Sequence, residues 1–140
     1  MTVTVDINVF LDVIQHRQPH YAASANVVSM AESRTLSGVC PAHALTTLYY
    51  LIRKYVTKQD AEAAMDRILD NFQIGSLDMA GWREARSLPI DDFEDAAIAA
   101  TAKASWSDFI ITRDIAGFAG SPVPAITPAD FLGQFPANAA

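Results

Sequence analysis

The spacing of apolar positions changes repeatedly along the chain, and each change marks an expected element. Residues 2–5 are all β-branched, which predicts a strand ending at Asp6, whereas residues 8–16 repeat apolar side chains at helical spacing. Further strands are expected at residues 36–40, 72–77, 108–112 and 122–126, and further helices at 20–33, 42–56, 58–71, 79–87, 91–105 and 128–132. This alternation predicts an α/β fold, a doubly wound parallel sheet of about five strands with helices on both faces.

Carboxylates stand where two of these strands end. Asp6 follows the first strand, and Asp114 follows the strongly apolar run at residues 108–112. In a doubly wound sheet, ligands bind at the carboxyl ends of the strands, where the winding direction reverses. If the two strands are neighbours, these acids meet in one crevice, and we expect the functional site there.

Composition and charge limit the classes of protein. The 140 residues are 51% hydrophobic and 19% charged, which predicts a single domain over residues 1–140 and excludes a disordered tail or a long solvated coiled coil. A formal net charge of −6 argues against a broad basic nucleic-acid footprint. It does not argue against a nucleic-acid enzyme, because bound cations reverse the local sign of carboxylates.

The cysteine count and the chain start give further expectations. Cys40 is the one cysteine, so neither an intrachain disulfide nor a multi-cysteine zinc site is expected. Residues 1–6 lack the basic and apolar regions of a signal peptide, and no apolar run approaches the roughly 18 residues of a membrane span. We therefore expect a cytoplasmic protein without a membrane partner.

Acidic residues crowd the start of the helix expected at 91–105. Asp91 as N-cap with Glu94 three residues on is a capping-box variant, and acids such as Asp92 suit the helix dipole. Asp95 is expected one turn inside the helix, beside an alanine stripe that packs on the sheet. Placed together, Asp6, Asp95 and Asp114 would repel one another unless a cation held them. Hard oxygen ligands favour Mg²⁺ or Mn²⁺.

Four segments in order carry a family resemblance over nearly the whole chain. They are VDINVFLD at 5–12, DFEDAAIAATA at 92–102, IITRD at 110–114 and VPAITPADFL at 123–132. Each segment is weak alone, but the ordered set resembles the PIN domain. The resemblance implies a metal-dependent ribonuclease acting on RNA, similar to the VapC-like toxins that pair with an antitoxin protein.

Carried over to this sequence, the resemblance assigns site residues. It implies that Asp6, Asp95 and Asp114 are the catalytic, metal-binding acids, supported by Asn8 and Thr112. Asp92 is a further supporting candidate at the mouth of the site.

One position departs from the family pattern. Thr47, in the segment LTTLYY at 45–50, stands where the resemblance leads us to expect Glu. A threonine hydroxyl can touch a metal-bound water but brings no charge, so one firmly held metal is expected rather than two. The alternative to a nuclease is therefore a catalytically weakened module that binds RNA or a protein.

Other residues are open to two interpretations. The candidate RNA contacts are Arg17, Arg53, Lys54 and Arg113, and the last of these could instead pair with an acid. Asp12 lies either near the site or in solvent.

The aromatic residues yield structural expectations. Tyr49 and Tyr50 lie on a strongly apolar helix that predicts a homodimer. Trp82 and Trp106 are expected to be packing residues.

Two other classes with strand-end acids are excluded. A phosphorelay receiver needs a lysine after a late strand, and none follows Lys103. An Asp-x-Asp phosphatase needs an acid where Asn8 stands.

Overall fold

The computed structural model describes residues 1–137, in which strands and helices alternate as the apolar spacing predicts. The five strands are β1 Thr2–Val5, β2 Ser37–Pro41, β3 Gln73–Gly75, β4 Phe109–Ile111 and β5 Ala125–Ile126. The seven α-helices are α1 Ile7–Ile14, α2 Tyr21–Glu32, α3 Ala42–Tyr55, α4 Lys58–Asn71, α5 Met79–Ser87, α6 Phe93–Ala104 and α7 Pro128–Gln134. A short 3-10 turn covers Ala116–Phe118.

All strand pairs are parallel, and the sheet order is β3-β2-β1-β4-β5. The chain winds outwards from β1 through β2 to β3, and then returns to the other side of β1 to place β4 and β5. The winding therefore reverses between β1 and β4, which pair with Val5 opposite Ile111. The expectation that the first strand neighbours the strand at 108–112 is confirmed, as is the doubly wound parallel fold.

Helices cover both faces of the sheet. The central strands β1 and β4 are therefore buried on both sides. Val3 and Val5 point into the larger core, which is filled from α1, α2, α3, α4 and α7. Thr4 points the other way, and its hydroxyl lies 2.8 Å from that of Ser107, beyond the end of α6. The core on the α6 side of the sheet is smaller and is built around Ile98 and Ile110.

Small side chains let α6 approach the sheet closely. Its residues Ala96 to Ala102 are all buried, and the helix packs across β1, β2, β3 and β4. A Cβ at Gly75 would lie 2.5 Å from Thr101 Cγ2, so only glycine fits where β3 passes beneath α6. The strand expected at 72–77 is shorter than predicted and covers Gln73–Gly75.

Two features of the described chain bear on the earlier expectations. The interpretation of Asp91 as N-cap is wrong, because Asp92 caps α6 by accepting from the backbone N–H of Asp95 over 3.0 Å. Asp95 thus lies in the first turn of the helix. Within residues 1–137, no helix is both long and apolar enough to cross a membrane.

Candidate active site

Asp6 leaves β1 at the point where the winding reverses and caps the start of α1. Its backbone N–H donates to the carbonyl of Ile111 over 3.0 Å, which holds it beside the end of β4. Its Oδ1 accepts from the N–H of Ile7 at 2.7 Å. Burial raises the pKa of Asp6, against the lowering effect of hydrogen bonds from Thr112 and Ile7. A nearby Asp114 raises it further.

Thr112 joins the two strand-end acids. Its hydroxyl donates to Asp6 Oδ2 over 2.8 Å and accepts from the backbone N–H of Asp114 over 3.0 Å. The amide of Asn8 also reaches Asp6 Oδ2, at 3.3 Å. The structure therefore brings together Asn8 and Thr112, the two polar residues singled out in the sequence, around Asp6.

Asp114 and Asp95 face one another across Gly117. Asp114 Oδ1 accepts from the N–H of Gly117 over 3.1 Å. A Cβ built on Gly117 would lie 2.5 Å from Asp114 Oδ2 and 3.1 Å from Asp95 Oδ2. The two oxygens are thus no farther apart than the sum of those distances, and the missing side chain leaves the space between them open.

Electrostatic repulsion among acids is concentrated at Asp95. Burial and the negative charges of Asp6, Asp92, Asp114 and Glu94 raise the pKa of Asp95 to about 7. Burial is the largest cause of the shift, and the contributions of the four acids place these carboxylates close enough to disfavour the ionisation of Asp95. A cation between them would remove this penalty.

Glu94 is a further acid at this cluster, and sequence reasoning treated it only as part of a capping box. Burial, followed by the charges of Asp92 and Asp6, raises its pKa. The backbone of Glu94 also contacts His43 at the start of α3. The crowding of four acids into residues 91–95 was the available signal, but helix capping explained it equally well.

Arg113 does not reach freely into the crevice. Its Nε donates to Asp12 Oδ2 over 2.8 Å, and Ser24 donates to the same oxygen at 3.0 Å. The interpretation of Asp12 as solvated is wrong, because the residue is fully buried. Of the two interpretations of Arg113, the structure shows pairing with an acid.

The other candidate RNA contacts lie away from the acids. Arg17 follows the far end of α1 and lines a groove with Tyr55 and Val56, beyond the far end of α3. Arg53 and Lys54 occupy the last turn of α3, ~16 Å along the helix from its start at 1.5 Å per residue. The structure does not bring these three residues to the crevice.

Thr47 lies one turn after His43 on α3 and uses its hydroxyl locally. The hydroxyl donates to the carbonyl of His43 over 3.5 Å. Residues four apart share a helix face, so Thr47 is on the face that carries His43 against the start of α6. Its side chain makes no hydrogen bond with an acid of the site.

The donor chemistry of the crevice fits a hard divalent cation. Its ligands would be carboxylate oxygens, and the space beside Gly117 separates two of them. No three His, Cys, Asp or Glu side chains within residues 1–137 converge tightly enough to form a ready-made metal cage. Binding would therefore require small movements of the carboxylates, and burial and repulsion at Asp95 provide a reason for them to move.

Comparison with known proteins completes this picture. A family model described as PIN domain matches residues 2–116. The chain belongs to the PIN domain family. A search of curated proteins returns no significant match.

Several solved structures share the fold at low sequence identity. A chain from the VapBC2 complex of Rickettsia felis bound to promoter DNA aligns with a TM-score of 0.70 and 18% identity, covering 91% of this chain and 98% of that chain. A chain of a toxin–antitoxin complex from Klebsiella pneumoniae gives 0.68 and 19%, with coverages of 90% and 97%. VapC20 of Mycobacterium tuberculosis, described as a sarcin–ricin loop cleaving toxin, gives 0.62 and 12%, with coverages of 77% and 86%.

Proposed function

We propose that this PIN domain is a metal-dependent endoribonuclease that hydrolyses RNA phosphodiesters and serves as the toxin of a toxin–antitoxin pair. The observation that carries the proposal is that Asp6 ends β1 at the switch point of the sheet while Asp95 and Asp114 flank Gly117 beside it, where burial and the neighbouring acids raise the pKa of Asp95. Repelling carboxylates in a crevice are typical of a functional site rather than of a structural one.

In this proposal, Asp6, Asp95 and Asp114 hold Mg²⁺ or Mn²⁺. When bound, such a cation lowers the pKa of a water molecule and neutralises charge on a phosphoryl group. The remaining residues fix the acids: Thr112 and Asn8 orient Asp6, and Asp92 orients the first turn of α6.

Structural relatives support the toxin assignment. Chains of the Rickettsia VapBC2 structure and of the Klebsiella structure share this fold, and the latter is a toxin–antitoxin complex by its description. VapC20, with the same fold, is a sarcin–ricin loop cleaving toxin by its description. We propose by extension an RNA substrate, an antitoxin protein as partner and a cytoplasmic site of action.

A catalytically weakened binding module is the second candidate. It is favoured by Thr47, whose hydroxyl bonds to its own helix, and by the absence of a ready-made metal cage within residues 1–137. In this alternative, the fold would bind RNA or a protein without cleaving it. Metal affinity and cleavage together separate the two candidates.

The deciding experiment is a Mn²⁺ titration by calorimetry near neutral pH, followed by an RNA cleavage assay. We expect the wild type to bind Mn²⁺ and Asp114→Asn to lose that binding. Asp66→Asn, which changes an exposed acid on α4, is the matched control and should bind as the wild type does. Metal binding with Mn²⁺-dependent RNA cleavage supports the nuclease, whereas RNA binding without cleavage supports the module.

We also propose a homodimer, formed through the far end of α3. Tyr50, Tyr55 and Val56 are exposed there. Exposed apolar patches of this kind mark protein interfaces. Sedimentation of the wild type and of Tyr55→Glu tests this, because the variant should sediment as a monomer.

A further inference from the structure

An exposed aromatic surface borders the acid cluster. Trp82 on α5 and Phe93 at the start of α6 lie with ring centroids 5.9 Å apart, and they are 37% and 51% exposed. Phe93 stands directly between Asp92 and Glu94 in the chain. On the other side of Trp82, the ring of His43 lies 6.1 Å away. We call the pair Trp82 and Phe93 the aromatic platform.

Positive charge is available beside this platform. Arg86 lines a shallow pocket with Phe93, together with Ala85, Leu88, Ile90 and Asp91. Arg86 is exposed and forms no ion pair within residues 1–137. Exposed aromatic rings with an unpaired guanidinium nearby are the combination that binds single-stranded nucleic acid.

The proposed nuclease needs such a contact because none of the basic residues singled out in the sequence reaches freely into the crevice. Arg113 is held by Asp12, and Arg53 and Lys54 lie at the far end of α3. With a net charge of −6, general electrostatic attraction to phosphates is weak. Stacking on aromatic rings adds affinity that does not depend on charge, and it requires an unpaired base.

We propose that the aromatic platform binds single-stranded RNA by stacking unpaired bases on the rings of Trp82 and Phe93 beside the acid cluster, with Arg86 contacting a phosphate. The proposal rests on the nuclease function for its choice of ligand, and it adds a selectivity for unpaired over duplex RNA. A duplex keeps its bases stacked inside and has none to offer to the platform.

The test uses the intrinsic fluorescence of one tryptophan. The chain contains two tryptophans, and Trp106 lies beyond the opposite end of α6, a helix that measures ~17 Å from Phe93 to Ala104 at 1.5 Å per residue. In a Trp106→Phe background, Trp82 alone reports binding of a short single-stranded RNA. The titration is carried out once in EDTA and once in Ca²⁺, so that RNA cleavage does not obscure RNA binding. We expect quenching by single strands and little by the matching duplex.

Leucine substitutions remove the aromatic faces while keeping apolar volume. Trp82→Leu and Phe93→Leu should each weaken binding of labelled single-stranded RNA by about five- to hundredfold, whereas Trp106→Leu should leave it unchanged. Circular dichroism verifies that each variant is folded.

Two results would overturn the proposal. One is the absence of single-strand binding in both EDTA and Ca²⁺. The other is that both platform variants bind RNA as tightly as the wild type does. If these variants then also lost an association with a protein, the platform would be a protein interface. RNA cleavage, measured separately with Mn²⁺, reports on the nuclease itself. If the protein binds RNA through the platform but does not cleave it, this proposal stands and the nuclease function is contradicted. If it cleaves RNA without binding through the platform, only the nuclease function stands.

Discussion

Arg113 donates to Asp12 over 2.8 Å, joining the loop that carries Asp114 to the middle of α1. The Asp12 carboxylate is fully buried, whereas the Arg113 side chain is 28% exposed. Arg113 lies between Thr112 and Asp114, so this ion pair fixes the segment that carries Asp114. The same segment carries the Thr112 hydroxyl, which donates to Asp6. The backbone N–H of Arg113 also approaches Asn8 Oδ1, at 3.4 Å.

Removing Arg113 should destabilise the fold strongly. Arg113→Ala leaves the buried charge of Asp12 unpaired, so we expect the free energy of unfolding to fall by about 3 kcal/mol. Urea denaturation measures the change, with Arg53→Ala on the exposed end of α3 as the control. Equal stabilities of the two variants would contradict a structural role for the pair.

The pH dependence of stability should reveal Asp95. Its pKa is raised from 3.8 to about 7, chiefly by burial and then by the charge of Asp6. Between these pH values, the folded protein retains a proton that the unfolded chain releases, so the contribution of Asp95 to stability falls as pH rises. We expect Asp95→Asn to flatten this part of the profile and raise Tm by a few degrees at pH above 7 in EDTA.

Thermal unfolding across this pH range, with Asp66→Asn as control, is the measurement. Saturating Mn²⁺ should reduce the slope of the wild type and leave Asp95→Asn little changed. If the Tm of Asp95→Asn changed with pH as steeply as that of the wild type, other groups would be the cause of the pH dependence.

Restoring an acid at position 47 should strengthen metal binding. Thr47→Glu adds a carboxylate on the face of α3 that meets the start of α6, and affinity for hard cations rises with the number of charged ligands. We expect the Mn²⁺ dissociation constant to fall about tenfold. Thr46→Glu, at the exposed neighbouring position, is the control. Unchanged or weaker affinity in Thr47→Glu would place Thr47 outside the site.

A methyl group at Gly117 should disturb the two acids that it separates. Gly117→Ala brings a Cβ to 2.5 Å from Asp114 Oδ2, so that carboxylate must move. We expect weaker Mn²⁺ binding in calorimetry. Gly133→Ala on α7 is a matched control, because nothing lies within 4 Å of its added Cβ. Equal metal affinities in both variants would argue against a ligand role for Asp114.

The salt dependence of RNA binding should be shallow. With few cations near the crevice, we expect the plot of log K against log salt concentration to have a slope of about −2 or smaller in magnitude. Fluorescence titrations of single-stranded RNA at several salt concentrations measure this slope. A steep slope would indicate a basic surface that this structure does not show within residues 1–137.

The sequence by itself determined the fold and three of the acids placed at its crevice. Apolar spacing reports on which faces are buried, and strand–helix alternation leaves few ways to wind a parallel sheet. Asp6 and Asp114 could be located because Asp6 directly follows β1 and Asp114 comes three residues after the end of β4. Element ends were less accurate: the cap of α6 is Asp92 rather than Asp91, because neighbouring acids compete equally for that position.

Only the tertiary structure decided which partners the charged and aromatic side chains have. It paired Arg113 with a buried Asp12, drew Glu94 towards Asp6, and placed Arg17, Arg53 and Lys54 away from the acids. The expectation that Trp106 is a packing residue is wrong, because it is 87% exposed. Local sequence encodes whether a side chain is apolar or charged, but the group that it meets comes from a distant part of the chain, and only folding brings the two together.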